Sequence, residues 1–259
     1  MKYLLRTKWR IQNHKPTISR SVCTLLLLSF VVTMLSGCLY SGGKGKSQGE
    51  QVSYRESVDR IQRAIDQFQA DQGILPIHTA GQETPRYEKF RIDLDKLKRT
   101  GYIDEIPATA FENGGSAYFL VLDEEVKPTV KVMDLITVQK VNDVQRQVSK
   151  YRMANDNKLP VVESNETYPG LFTVDLKLAK AESFVTKSVF SGQELSYLVD
   201  HEGQVYIDYA FDIMQAIDKF GAVPADYEDL RILITEQSYF VPVKSLPYQW
   251  VDEAPEPVL

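Results

Sequence analysis

From Tyr54 onward, apolar residues recur at helical spacing. Tyr54, Val58, Ile61, Ile65 and Phe68 fall three and four apart and lay one stripe along a helix that ends before Gly73 and Pro76. Ser53 and Glu56 have capping-box spacing, so the helix is predicted to open at Ser53. After a polar, Pro-containing loop, Phe90, Ile92, Leu94 and Leu97 predict a shorter element that closes near Gly101 and Pro107. Tyr118, Leu120 and Leu122 then alternate as in a strand, which turns through residues 123–128 into Val130 and Val132.

The same order recurs. Val141, Val144, Val148 and Tyr151 give a second helical stripe before Leu159-Pro160; Phe172, Val174, Leu176 and Leu178 follow; Tyr197 to Val199 then turns through Asp200-His201-Glu202-Gly203 into Val205 to Ile207. A shortened third copy runs from Ile213, Ile217 and Phe220, past Val223-Pro224, through Tyr227 to Leu233, to a last strand at Tyr248 to Asp252. The triplets Ile61/Ile65/Phe68, Val144/Val148/Tyr151 and Ile213/Ile217/Phe220 share one spacing, and each precedes an apolar-Pro pair. The expected fold class is therefore α+β, with three helix-loop-hairpin units (53–133, 134–207 and 208–252) on a largely antiparallel sheet. Helix, Pro, strand is also a generic order, and without a repeat the class stays α+β.

Upstream of this body the pattern changes. Residues 22–35 (VCTLLLLSFVVTML) form an apolar run of signal-peptide length behind a basic stretch, short of the roughly 20 residues a membrane span needs. Leu35-Ser36-Gly37-Cys38 follows directly and resembles the bacterial lipobox at all four positions. That resemblance implies a diacylglycerol on the Cys38 thiol, cleavage after Gly37, and acylation of the new amine by a fatty acid such as palmitate. Residues 1–37 are then a lipoprotein signal peptide. Residues 38–52, rich in Gly, Ser and Lys, are read as the lipidated cysteine and a flexible linker, and 53–259 as the extracytoplasmic body. The expected location is the outer face of a cell membrane, held there by lipid.

Charge supports that division. The first 37 residues carry six basic side chains and no acid, so the formal net charge of −5 for the whole chain becomes −11 without them. A body so acidic is ill suited to nucleic acid, whose phosphates are neutralised by Lys and Arg, and no nucleic-acid partner is expected. Cys23 lies in the apolar run, so processing leaves no pair of cysteines for a disulfide, and any zinc site would need His78, His201 and carboxylates.

Candidate chemistry is sparse. Asp200-His201-Glu202 places a histidine between carboxylates, but the flanking Leu198-Val199 and Val205 and the closing Gly203 make it an exposed hairpin turn. Asp123-Glu124-Glu125 occupies the matching turn and lacks calcium-loop spacing. His78 follows Pro76 in a surface loop. Serine nucleophile elbows, phosphate-binding Gly loops and HExxH helices are absent from the sequence. No catalytic residue, cofactor or metal is expected. Tyr227, Tyr239, Phe240, Tyr248 and Trp250 crowd the C-terminal region and are read as core before they are read as a binding surface; residues 252–259 are read as a loose acidic tail.

Two resemblances bear on identity. Residues 68–76 (FQADQGILP) resemble the helix end of pilin-like proteins; pilins keep their N-terminal apolar helix for assembly, whereas a lipobox removes it, so no function carries over. The Gly37-Cys38-Leu39-Tyr40 start and the repeated helix-Leu-Pro body are similar to the uncharacterised YphF lipoproteins of spore-forming Gram-positive bacteria, which implies no activity. The expectation is a membrane-anchored envelope lipoprotein, not an enzyme, with an interaction or structural role and an envelope protein as partner. The alternatives are a small-molecule or glycan receptor and, behind it, a cell-wall hydrolase. An aromatic cleft would favour the receptor, facing carboxylates about 5–10 Å apart a glycosidase, and a flat apolar patch a partner protein.

Overall fold

The computed structural model describes residues 46–221 and 227–259, with side chains from Ser53 onward. Cys38, its flanking lipobox and Val223-Pro224 lie outside the described residues. By contacts the chain divides into Met1–Gly49 and Glu50–Leu259, and the architecture below is that of the second unit.

Among the described residues twelve principal elements follow in the order α1 Lys46–Gln72, α2 Leu94–Arg99, β1 Ala117–Leu122, β2 Thr129–Asp134, α3 Leu135–Ala154, β3 Leu171–Thr173, β4 Tyr197–Asp200, β5 Val205–Ile207, α4 Ala210–Phe220, α5 Arg231–Glu236, β6 Tyr248–Val251 and β7 Ala254–Pro257. The class is α+β. Helix α1 begins upstream of Ser53, so the capping-box reading is corrected: the Ser53 carbonyl accepts the Ser57 hydroxyl at 2.7 Å as an interior helical residue. Gln48, Glu50 and Gln51 are good helix formers and carry the helix back to Lys46, into what reads as linker.

Hydrogen bonds show how closely the units repeat. The Ile92 amide donates to the Phe119 carbonyl, Val174 to Tyr197, and Leu230 to Tyr248, so each hairpin's first strand takes the same partner from the segment before it. The Asp93 amide donates to the Pro76 carbonyl and Asp175 to Pro160, which makes the two Pro-containing turns equivalent. Asp93 then caps α2 through the Lys96 amide, and Asp175 receives the Lys177 and Leu178 amides. Cross-strand pairs match as well: Phe119 faces Val132, Tyr197 faces Ile207 and Tyr248 faces Pro257.

A glutamine latch marks the first two copies. Gln62, one residue after Ile61, accepts the Val130 amide at 2.8 Å and donates to the Pro128 carbonyl at 3.0 Å. Gln145, one residue after Val144, accepts the Val205 amide at 2.8 Å and donates to the Gly203 carbonyl at 2.7 Å. Each latch ties a helix to the outer edge of its own hairpin, where backbone groups would otherwise lack strand partners. In the third copy the corresponding residues are Met214 and Pro255. Proline has no amide hydrogen to offer, and methionine has no acceptor to match.

The strands form three separate antiparallel sheets, ordered β1-β2, β3-β4-β5 and β6-β7, in place of one common sheet. Their edges are closed by side chains and by a crossing segment. The Val132 amide donates to the Tyr239 carbonyl, Val241 donates to Val132, and Ile207 donates to Lys244, so residues 239–244 reach β2 and β5 in turn. One core packs α1 against the first hairpin through Ile61, Ile65, Leu97 and Phe119. A second packs α3 and α4 around Val144, Tyr197, Ile207, Ile213 and Tyr248. A third, smaller cluster sets Tyr87, Leu120 and Met133 against Val241 and Val243. Residues 252–259 are not a loose tail. Ala254–Pro257 pair with β6, and the Val258 amide donates to the Pro247 carbonyl.

Candidate functional site

The polar motifs of the sequence resolve into structural roles. Asp200 is buried; its carboxylate accepts the Gln204 amide at 2.8 Å and the Tyr206 hydroxyl at 3.1 Å, and burial with that neighbouring charge pushes the Tyr206 phenol up to about 12. His201 is exposed, its Nε2 lying 3.2 Å from Glu166 and its ring edge-on to Phe172. The Gly170 amide holds the Glu166 carboxyl below the usual carboxylate range, and His201 adds to that effect. This is a hairpin turn clasped by its neighbours. Asp123, in the matching turn, pairs with Arg86 at 3.2 Å, and His78 is exposed, with its backbone amide bonded to the Arg91 carbonyl. Among the described residues no group of three or more His, Cys, Asp and Glu is placed to hold a metal ion, and no helix is long and apolar enough to cross a membrane.

The C-terminal aromatics divide between core and surface. Tyr248 is fully buried, donating to Asp208 at 2.9 Å and accepting the Tyr209 amide at 2.8 Å; Tyr227 and Trp250 pack against the same core. Phe240 is buried with its ring 5.1 Å from Tyr54. Tyr239, by contrast, is 37% exposed, and Phe220, the last residue of α4, is 48% exposed.

These two rings open onto a cleft of about 280 Å³ between α4, Val189-Phe190 and residues 234–240. Phe190, Phe220, Tyr239 and Phe240 supply its aromatic walls; Gln215, Gln237, Ser238, Lys219 and Asp212 supply its polar groups. The local sequence explains the geometry. Helix α4 ends at Gly221, whose left-handed conformation (φ +62) stops the helix and leaves Phe220 at its rim. Lys131 from β2 donates to the Thr235 and Ser238 carbonyls at 2.7 and 2.8 Å, closing the end of α5 and fixing the start of the Tyr239 segment. Burial pulls the Lys131 amine down.

Asp212 stands in the first turn of α4 and also forms part of a smaller hollow of about 70 Å³ with Glu194, Asp208 and Phe211. It is only 3% exposed. Its Oδ1 accepts the Ser188 hydroxyl at 2.9 Å, while its Oδ2 is shut off from solvent and makes no hydrogen bond of full geometry, with the Ser191 hydroxyl and amide close enough to the carboxyl to act on it electrostatically. Burial pushes the carboxyl up; the nearby Ser191 and Ser188 groups oppose that, and Asp208 adds to it. Among the described residues no basic side chain forms an ion pair with Asp212. Sequence reading missed Asp212, because an acid in the first turn of an amphipathic helix is the ordinary choice there. Its burial depends on the turn at residues 188–192, which is distant in sequence.

Fold and site together define an α+β protein built of repeated helix-loop-hairpin units, with an aromatic cleft where its second and third units meet. Residues 54–134, the first unit, match the family model of the YphF family N-terminal domain, so that part of the chain is YphF-like. No curated protein and no solved structure matches the chain.

Proposed function

We propose that this chain is a lipid-anchored extracytoplasmic receptor that takes a small ligand in the cleft between its second and third units. The anchor rests on the lipobox Leu35-Ser36-Gly37-Cys38 behind its apolar run. The receptor reading rests on one observation, the four aromatic rings that converge on the cleft with two of them open to solvent. Large exposed aromatics in a concavity with a few polar groups are how small-molecule sites are built. The envelope-interaction reading has no comparable observation behind it: exposed apolar side chains such as Val126, Met153 and Val162 come from the β1–β2 turn, α3 and the loop before β3.

The test uses the full chain in cells. A photocrosslinking amino acid at Tyr239 is expected to capture a small-molecule adduct that the same group at the exposed Val126 does not, with Phe220→Ala reducing capture. A macromolecular adduct specific to position 239 would restore the partner-protein reading, and identical patterns at both positions would remove the cleft from consideration. Cys38→Ala is expected to abolish fatty-acid labelling; persistent labelling would refute the anchor.

A further inference from the structure

We propose that the cleft selects an organic cation carrying a quaternary ammonium group, with Asp212 as its counter-charge and the rings of Phe190, Phe220 and Tyr239 as its walls. This deepens the receptor reading and rests on it. A carboxylate this buried and without a basic partner is costly, and such a group beside a cleft marks a candidate ligand site. Asp208 and Glu194, in the smaller hollow that Asp212 also lines, add negative potential and count against an anionic ligand.

The hydrogen-bond pattern narrows the class. Oδ1 is taken by Ser188, and Oδ2 is closed off from solvent, so Asp212 presents a field to the cleft without a free acceptor. A primary ammonium or a guanidinium would bring several N–H donors, and with both Asp212 oxygens closed to it only the neutral oxygens of Gln215, Gln237 and Ser238 would be left to take them. A quaternary ammonium brings none and is held by charge and by ring faces, as in aromatic cages. One ring already receives a cation: the Lys219 Nζ lies 5.1 Å from the centroid of Phe220. Lys219 is exposed on the last turn of α4, and a ligand cation displaces it into solvent. The cleft, at about 280 Å³, matches the small end of ligand sites, roughly 300 Å³.

Choline and its neutral isostere 3,3-dimethylbutan-1-ol separate charge from shape. Each is titrated calorimetrically into the full chain purified in dodecyl maltoside. Choline is expected to bind at least tenfold tighter than the alcohol; Asp212→Asn is expected to erase that preference, and Phe220→Ala to weaken both. If both bind equally and both respond to Phe220→Ala, the cleft remains a ligand site and the cation inference falls. If neither binds, the cation inference falls, and the receptor reading stands or falls on the crosslinking at Tyr239. The comparison of two probes on the unsubstituted chain decides the matter even if Asp212→Asn fails to fold.

Discussion

Replacing Gln145 with Met tests whether the glutamine latch is a working part of the repeat. The side chains are similar in length and volume, so packing against the half-buried helix face is kept while both hydrogen bonds are lost. The Val205 amide belongs to a residue that is 1% exposed, and the Gly203 carbonyl sits in the turn beside it. A buried donor left unpaired costs about 1–3 kcal/mol, and loss of the bond to the Gly203 carbonyl adds about 0.5–1.5 kcal/mol. A loss of about 2–3 kcal/mol is expected for Gln145→Met. The corresponding Gln62→Met is expected to cost about 1–3 kcal/mol through Val130 and Pro128. The sites lie in different cores, so the double variant should be additive to about 0.5 kcal/mol. Met214→Gln is the control: with Pro255 at the facing position, no stabilisation is expected. Urea unfolding gives the totals, and hydrogen exchange at the Val130 and Val205 amides gives the local effect. Losses below about 0.5 kcal/mol with unchanged amide protection, or a gain from Met214→Gln comparable to those losses, would refute the reasoning.

Three further outcomes follow from local geometry. Gly203→Ala is expected to destabilise by more than about 1 kcal/mol in thermal unfolding, because Gly203 has φ +87 and an added Cβ would run into the Arg152 side chain that covers it. Glu253→Gly should stabilise by roughly 0.5–1 kcal/mol, since Asp252 and Glu253 form a two-residue hairpin loop with φ +45 and +67, where the second position favours glycine. Burial raises the Asp212 carboxyl in the folded chain, so the folded state favours the protonated acid. That contribution is full below the ordinary Asp value and is lost as pH rises through the folded value. Asp212→Asn should therefore gain stability relative to the unsubstituted chain from pH 4 toward pH 8 in denaturation series; a difference that stays flat with pH would contradict the burial argument.

Most of the architecture was legible because it rests on periodicity. The stripes at Ile61, Val144 and Ile213 are the buried faces of α1, α3 and α4, and the alternation at Tyr118–Leu122 and Tyr197–Val199 marks β1 and β4. The class and the order of the units follow from these. Boundaries were harder. Ser53 and Glu56 satisfy a local capping pattern, but helix-forming residues upstream continue the helix, and a capping box carries no information about them. Strand β7 was missed because Pro255 and Pro257 read as strand breakers; they are tolerated where β7 forms an edge. The cleft was legible only as a local excess of aromatics. Which of them face solvent is decided by contacts distant in sequence, such as Lys131 with residues 235 and 238 and Phe240 with Tyr54.

The third copy is both the most degenerate and the most connected. It lacks the latch, its helices are short, and its hairpin ends in prolines, yet its residues 239–244 close the edges of both other hairpins. Lys244 pairs with Glu88 of the first unit at 3.0 Å, the Arg231 guanidinium lies 4.8 Å over the Tyr87 ring, and the Lys244 carbonyl accepts the amide of Ile207 at the end of the second unit. These contacts account for the divergence. A copy whose edges bind its neighbours is held in place without a latch of its own. Phe220 and Tyr239 are exposed aromatics of this copy, one the last residue of α4 and the other opening the crossing segment. The cleft is therefore a product of the way the third unit locks the other two together, and neither neighbouring unit could form it alone.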